Sequence, residues 1–285
     1  MISTADIFNV NDLKELWQVC FGDEPEYIDY FFENRFAPEN TLVYSLDGKH
    51  VAQLFLLDGV FRINGRVYPS YYLYAACTHP SFRRKGIMGE LLNYAKVLTE
   101  SRKIDFICLV PAEKPLFDYY SKFSYKPVFS KMRITVNRCE LNTVNSDYDD
   151  SEFNTEDLSL FRNRYLTRRD CFLWDSNALE YAFEENRFSD GMLYSCGCGY
   201  ALVRPLEDGA CHILEICSSD NNYGKIINDV FDKMNCEKLI IDAPIDIPFG
   251  KDYEIVENAM SLAVSDEAKS IIDNISGAYF GLPLE

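Results

Sequence analysis

Positive charge is scarce in this chain. Its 285 residues carry 28 lysines and arginines against 45 aspartates and glutamates, a formal charge of −17. A surface of that sign repels nucleic acid and anionic membrane and argues against both as partners, whereas it attracts small cations such as amines. Long apolar runs are lacking too. No stretch reaches the length of a membrane span, and Met1–Asp6 has neither the basic start nor the apolar segment of a secretory signal. A cytoplasmic protein is expected. The ten cysteines include no C-x-x-C pair, and Cys196 and Cys198 flank one glycine, a poor zinc spacing. No metal site is expected. Several cysteines lie inside apolar runs such as Ile107–Val110 and Leu214–Cys217, as reduced core residues do. Neither G-x-x-x-x-G-K nor G-x-G-x-x-G occurs.

What is present suffices for a large core, with 47% hydrophobic and 14% aromatic residues. The periodicity predicts two helices over 9–36, with Asn11 or Asp12 as a cap and apolar faces at Leu13, Leu16, Trp17, Cys20 and at Ile28, Phe31, Phe32, Phe36. Three strands follow in a meander (41–46, 51–63, 67–77), turned at Asp47-Gly48 and Asn64-Gly65. A helix over 86–101, a buried strand over 106–110, a helix opened by Pro115 and an extended run over 125–136 complete the first half. Acidic and polar residues over 140–157 read as a linker. The second half reads as helices near 156–169 and 176–187, and strands at 192–195, 199–205 and 211–217. A helix over 223–234, strands at 238–241 and 253–264, and a helix near 266–275 follow. The order of three strands, helix and strand thus echoes the first half.

The stretch with chemical content runs from Ala75 to Leu92. It is a strand, a turn at His79-Pro80, the cations Arg83, Arg84 and Lys85, then Gly86, Ile87, Met88 and Gly89 at the head of an amphipathic helix. A helix N-terminus presents unpaired N–H groups and a positive dipole end, and small residues let a phosphate approach that backbone. Three cations just before it suit a pyrophosphate.

This run resembles the acetyl-CoA-binding motif of the GNAT N-acetyltransferases. There a strand and short turn lead through an aromatic to Q/R-x-x-G-x-G/A at a helix head. Pro80, Phe82, Arg83 and Gly86 match, and Met88 stands where Gly or Ala is usual. Downstream, Leu116–Tyr125 looks like the family's F-Y-x-K-x-G-F segment, with Tyr119 for Phe, Ser124 for Gly and Tyr125 for Phe. The whole chain is similar to the tandem two-domain arrangement of Eis-like acetyltransferases, without their sterol-carrier-like domain.

The resemblance implies an α+β (α/β) GNAT fold, a mixed and mostly antiparallel sheet flanked by helices, with a second, degenerate GNAT-like domain. The domains expected are 1–139 (acetyl-CoA-binding and catalytic), a linker over 140–157, and 158–285, whose equivalent loop Ser218–Lys225 lacks the cations and glycines of a CoA site. The function implied is direct transfer of acetyl from acetyl-CoA to a primary amine of a small, cationic molecule; the alternative is a non-catalytic acyl-CoA-binding or scaffold protein of the same fold. Cys77, Thr78, Arg83, Arg84, Lys85, Gly86, Ile87, Met88 and Gly89 would bind the cofactor, and Tyr120 would protonate the departing thiolate. Glu33, Asp58, the C-terminal carboxylate and a water chain stay open as the base. A homo-oligomer also stays open.

Overall fold

The computed structural model describes residues 1–140, 154–249 and 252–284, so most of the expected linker lies outside the described residues. In chain order the elements begin β1 (Ile2–Thr4), α1 (Val10–Phe21), α2 (Pro25–Asn34), β2 (Thr41–Leu46), β3 (Lys49–Ile63) and β4 (Arg66–Thr78). They continue with α3 (Ile87–Ser101), β5 (Phe106–Leu109), α4 (Lys114–Ser121), β6 (Lys126–Asn137), α5 (Thr155–Leu166), β7 (Cys171–Leu173) and α6 (Ser176–Glu185). The last are β8 (Met192–Cys196), β9 (Gly199–Pro205), β10 (Cys211–Ser218), α7 (Tyr223–Met234), β11 (Lys238–Ala243), β12 (Glu254–Ala263) and α8 (Asp266–Ile271). Two compact units result, and neither is continuous in sequence. One comprises 1–61, 67–127 and 259–275; the other comprises 62–66, 128–258 and 276–285.

In the first unit the strand order is β1-β2-β3-β4-β5-β12. The β4–β5 pair is parallel, with Ser70 opposite Phe106 and Tyr72 opposite Cys108, while β5 and β12 are antiparallel, Leu109 facing Met260. Alternation along β3 divides its side chains between two layers. Leu54 and Leu56 join the cluster with Ile87, Leu91, Leu92 and Ala95 of α3. Phe55 instead meets α1 and α2, where the Trp17 ring lies 4.8 Å from Phe31, 5.5 Å from Phe55 and 5.7 Å from Tyr74. Trp17 is almost wholly buried, so its truncation to Ala would cost about 3–5 kcal/mol. The cap of α1 is Asn9 rather than Asn11 or Asp12; Asp6 Oδ1 accepts from Phe8 N–H at 3.0 Å and caps the short turn before it.

In the second unit the order is β6-β11-β10-β9-β8. The face toward α7 is apolar, with Ile226, Ile227, Val230 and Phe231 against Ile213, Leu239 and Ile241. The other face holds charge. Arg162 of α5, fully buried, donates through Nε and Nη2 to both oxygens of Glu215 at 2.8 and 3.0 Å. The Tyr200 and Tyr279 hydroxyls donate to the same carboxylate at 2.6 and 3.2 Å. On β11, Asp242 accepts from Arg133 at 2.7 Å and meets Lys131 at 2.7 Å and His212 at 2.9 Å. Among the described residues no helix is long and apolar enough to cross a membrane.

Candidate active site

The site is built where β4 and β5 part. Their pairing stops at Tyr72, and β4 runs six residues further, to Thr78, without a β5 partner. Within that extension Ala75 sits at φ +44°, a left-handed conformation unusual for a residue with a Cβ. Such a residue breaks the regular alternation of N–H and C=O along a strand and re-aims its neighbours. On the side of β5, the end of β4 has no partner strand for its backbone groups.

The turn after β4 is fixed by short-range bonds. His79 Nδ1 accepts from Ser81 N–H at 3.2 Å, and Phe82 N–H donates to His79 O at 2.8 Å. His79 is therefore a turn residue, holding its proton away from Nδ1. Arg83 Nε donates to Thr78 O at 3.0 Å, tying the first cation to the strand end. Lys85 Nζ stands 4.9 Å from the Phe82 ring centroid. Arg83, Arg84 and Lys85 are all exposed.

Gly86 is the N-cap of α3 at φ +83°, the left-handed region that glycine enters at no cost. A Cβ built there would meet nothing within 4 Å. The space above the helix end is open, and the glycine is required by conformation rather than by crowding. The helix begins its own bonding only at Glu90 N–H to Gly86 O, 3.1 Å, so the N–H groups of the first turn have no acceptor within the helix. Open space, orphan donors and three cations fit a bound pyrophosphate such as that of CoA.

Met88 and Gly89 take different parts. The Met88 side chain is half-buried and packs on the apolar cluster with Ile87, itself buried. Its bulk is committed to the core. At Gly89 an added Cβ would lie 3.0 Å from Phe123 Cζ and 3.2 Å from its Cε1. The missing side chain lets the end of α4 close on the first turn of α3, which brings Tyr120 to the same neighbourhood.

Tyr120 is buried at 9% exposure, 5.4 Å from the Tyr119 ring and 5.6 Å from that of Tyr125. Burial, with a smaller contribution from Tyr119, pushes its hydroxyl up to about 12. It is a phenol, not a phenolate, at neutral pH. Ser124 adopts φ +68°, which explains why the resembling family places glycine at this position.

Cys77 is buried, and the influence of Cys20, together with burial, raises its thiol well above an ordinary one, so Cys77 is no thiolate nucleophile. Cys20, half-buried on α1, has its thiol lowered to about 7, first by Cys77 and then by the charge of Arg83, against the opposing effect of burial. Glu33 and Asp58 are both exposed, and the C-terminal carboxylate lies outside the described residues.

Residues 2–128 match the family model of the acetyltransferase (GNAT) domain. No curated protein matches the chain in sequence. Solved structures similar to it include a probable N-acyltransferase from Enterococcus faecalis V583, at 13% identity and TM-score 0.74, covering 95% of this chain and 74% of that one. Eis1 from Mycobacterium abscessus is similar at 14% identity and TM-score 0.72, with 94% and 75% covered. A tandem GNAT protein from the clavulanic acid biosynthesis pathway shares 11% identity at TM-score 0.54, with 93% and 99% covered. At these identities the likeness is one of fold. The family match falls on the part of the chain that holds the parting strands, the cationic loop and Tyr120: residues 2–128 match the GNAT acetyltransferase domain, and the fold is the one that GNAT acetyltransferases share.

Proposed function

We propose that this protein is an acetyl-CoA-dependent N-acetyltransferase acting on a primary amine of a small, cationic molecule in the cytoplasm. One observation carries the reading: three exposed cations and an open Gly86 converge on the head of α3 in a chain whose net charge is −17. Acetyl-CoA, when bound, supplies the acetyl group as a thioester. Arg83, Arg84 and Lys85 hold its phosphates together with the first-turn N–H groups of Ile87, Met88 and Gly89. Main-chain N–H groups near Cys77 and Thr78, beyond the last β5 partner, face charge that develops on the carbonyl oxygen.

Tyr120 holds a proton at its Oη for the sulfur that departs. A thiol has a pKa near ~8.5, well below the value of about 12 imposed on Tyr120 by burial. Full transfer from Oη to sulfur is therefore uphill by a few kcal/mol, at about 1.4 kcal/mol per pH unit. The hydroxyl acts first as a hydrogen-bond donor that stabilises the developing thiolate, and the proton follows as charge accumulates.

The test combines calorimetric titration of CoA with a panel of primary amines assayed for acetylated product by mass spectrometry. Saturable CoA binding and product from at least one cationic amine are expected. CoA binding without product from any amine would select the non-catalytic reading, and absence of CoA binding would overturn the site.

A further inference from the structure

Gln53 of β3 is wholly buried, at 0% exposure, and neither its Oε1 nor its Nε2 has a hydrogen-bond partner. A primary amide offers one acceptor and two donors, and burying them unpaired works against folding. The neighbouring side chains on its face give no relief. Val43 stands opposite on β2, and Phe55 lies two residues along β3 under Trp17 of α1. Bulk water does not reach the amide either, so its partner must be brought in.

The register of β3 and β4 places this amide at the candidate site. β3 ends at Ile63 and β4 starts at Arg66, across the two-residue turn Asn64-Gly65. A regular ladder from that turn would set Val51 opposite Thr78. His79 N–H instead donates to Val51 O at 2.9 Å, one residue further on. β4 therefore carries one extra residue, and Ala75 at φ +44° marks the place. Two residues back from His79 and two on from Val51, Cys77 lies opposite Gln53, and opposite residues share a face. Gln53 is thus the cross-strand neighbour of the residue whose main chain faces the acyl oxygen in the proposed reaction.

We propose that Gln53 is a further catalytic residue, its Oε1 accepting from the N–H of the attacking amine and its Nε2 donating to the acyl oxygen. This rests on the acyl transfer proposed above. The amine lone pair forms the C–N bond, and the carbonyl electron pair moves to oxygen and returns as the C–S bond breaks. Sulfur leaves as the thiol with the Tyr120 proton. The nitrogen gives its extra proton to water, which restores Tyr120. Gln53 neither gains nor loses a proton; it orients the two partners. In the tetrahedral adduct the N–H and the oxyanion stand on one carbon, so one amide meets both. The secondary amide product, held trans, turns its N–H away from its oxygen and loses one of the two bonds, which favours the adduct over the product. Unmet polar groups that cost stability are retained where function needs them.

The chain has only two glutamines, Gln18 and Gln53, and Gln18 is exposed on α1. Labelling the full chain with ¹⁵N-glutamine therefore gives two side-chain amide signals, assigned by the one that disappears in Gln53→Met. Acetyl-CoA should shift the Gln53 signal and leave that of Gln18 in place, and CoA without the acetyl group should shift it less. Gln53→Met, close in volume, should bind CoA with parental affinity and melt at an equal or higher temperature. Its single-turnover rate on an amine that the parent accepts should fall by about 10–100-fold. The same pattern in Gln53→Leu would tie the loss to the amide rather than to the introduced sulfur. An unmoved Gln53 signal in protein that calorimetry shows to be saturated with acetyl-CoA overturns the proposal, as does a chemical rate in Gln53→Met equal to the parent's. A parent that binds no CoA overturns the acyl-transfer reading itself and this inference with it.

Discussion

The two units of this chain repeat one plan with different endings. Each has a three-stranded meander, a helix, and a strand returning parallel to the third: β2-β3-β4-α3-β5 in one and β8-β9-β10-α7-β11 in the other. In each the parallel pairing is short and the third strand runs on. It stops at Tyr72 in β4, and at Ile213 in β10, which continues to Ser218 past a register shift. The connections to the next helix differ. Eight residues, 79–86, join β4 to α3 and include three exposed cations and Gly86. Four residues, 219–222, join β10 to α7, whose first residue Tyr223 is buried, bonded to the Tyr165 hydroxyl at 3.0 Å and packed on Phe249. The first unit also places α4, with Tyr120, after its parallel strand, whereas among the described residues no helix lies between β11 and β12. The parallel pairing thus ends early in both units, and the cationic loop capped by glycine occurs in only one of them.

Four substitutions put that contrast at risk. Tyr120→Phe should have the largest effect, lowering the single-turnover rate by about 10²–10⁴-fold with CoA affinity nearly intact, because the hydroxyl matters as sulfur departs. Equal chemical rates in the variant and the parent would make Tyr120 a core aromatic only. Arg162→Met tests whether charge in the second unit is structural. It leaves Glu215 buried without its cation and should lower unfolding free energy by about 3–5 kcal/mol in denaturant titration, with CoA binding unchanged below the transition. Loss of CoA affinity in the folded variant would show that this pair serves the site.

Gly86→Glu should weaken CoA by about 100-fold, since an added side chain enters open space where an anion would sit, and an L-residue at φ +83° is strained by about 1 kcal/mol. A titration showing parental affinity would move the site elsewhere. The smallest change is Ser124→Gly, which relieves a positive φ and should raise stability by about 0.5–1 kcal/mol by thermal melting. A lower melting temperature would mean that the serine side chain contributes more than its backbone costs.

Much of the first unit can be read from the sequence because its signals are local. Asp47-Gly48 and Asn64-Gly65 lie at the predicted hairpin turns, and helix and strand ends fall within a few residues of those expected. The run from Arg83 to Gly86 is legible because three cations and a glycine leave a mark whatever surrounds them. Pairings distant in sequence leave no such mark. Nothing in Ala259–Ala263 distinguishes a strand that pairs with β5, some 150 residues earlier, from one that pairs with a neighbour. The short β1 and β7 escape notice because three residues give no measurable alternation. The role of Gly89 depends on which surfaces α3 and α4 present, a matter of tertiary packing. Met88 looks like an obstacle beside the phosphates in a linear motif, yet in three dimensions its half-buried side chain packs against the core.

The contrast between the units rests most directly on stoichiometry. Calorimetric titration of the intact chain with CoA should give one site per chain, weakened by about 100-fold in Gly86→Glu. Two equivalent sites per chain, or one site that persists unchanged in Gly86→Glu, would contradict the assignment of cofactor binding to the loop between β4 and α3.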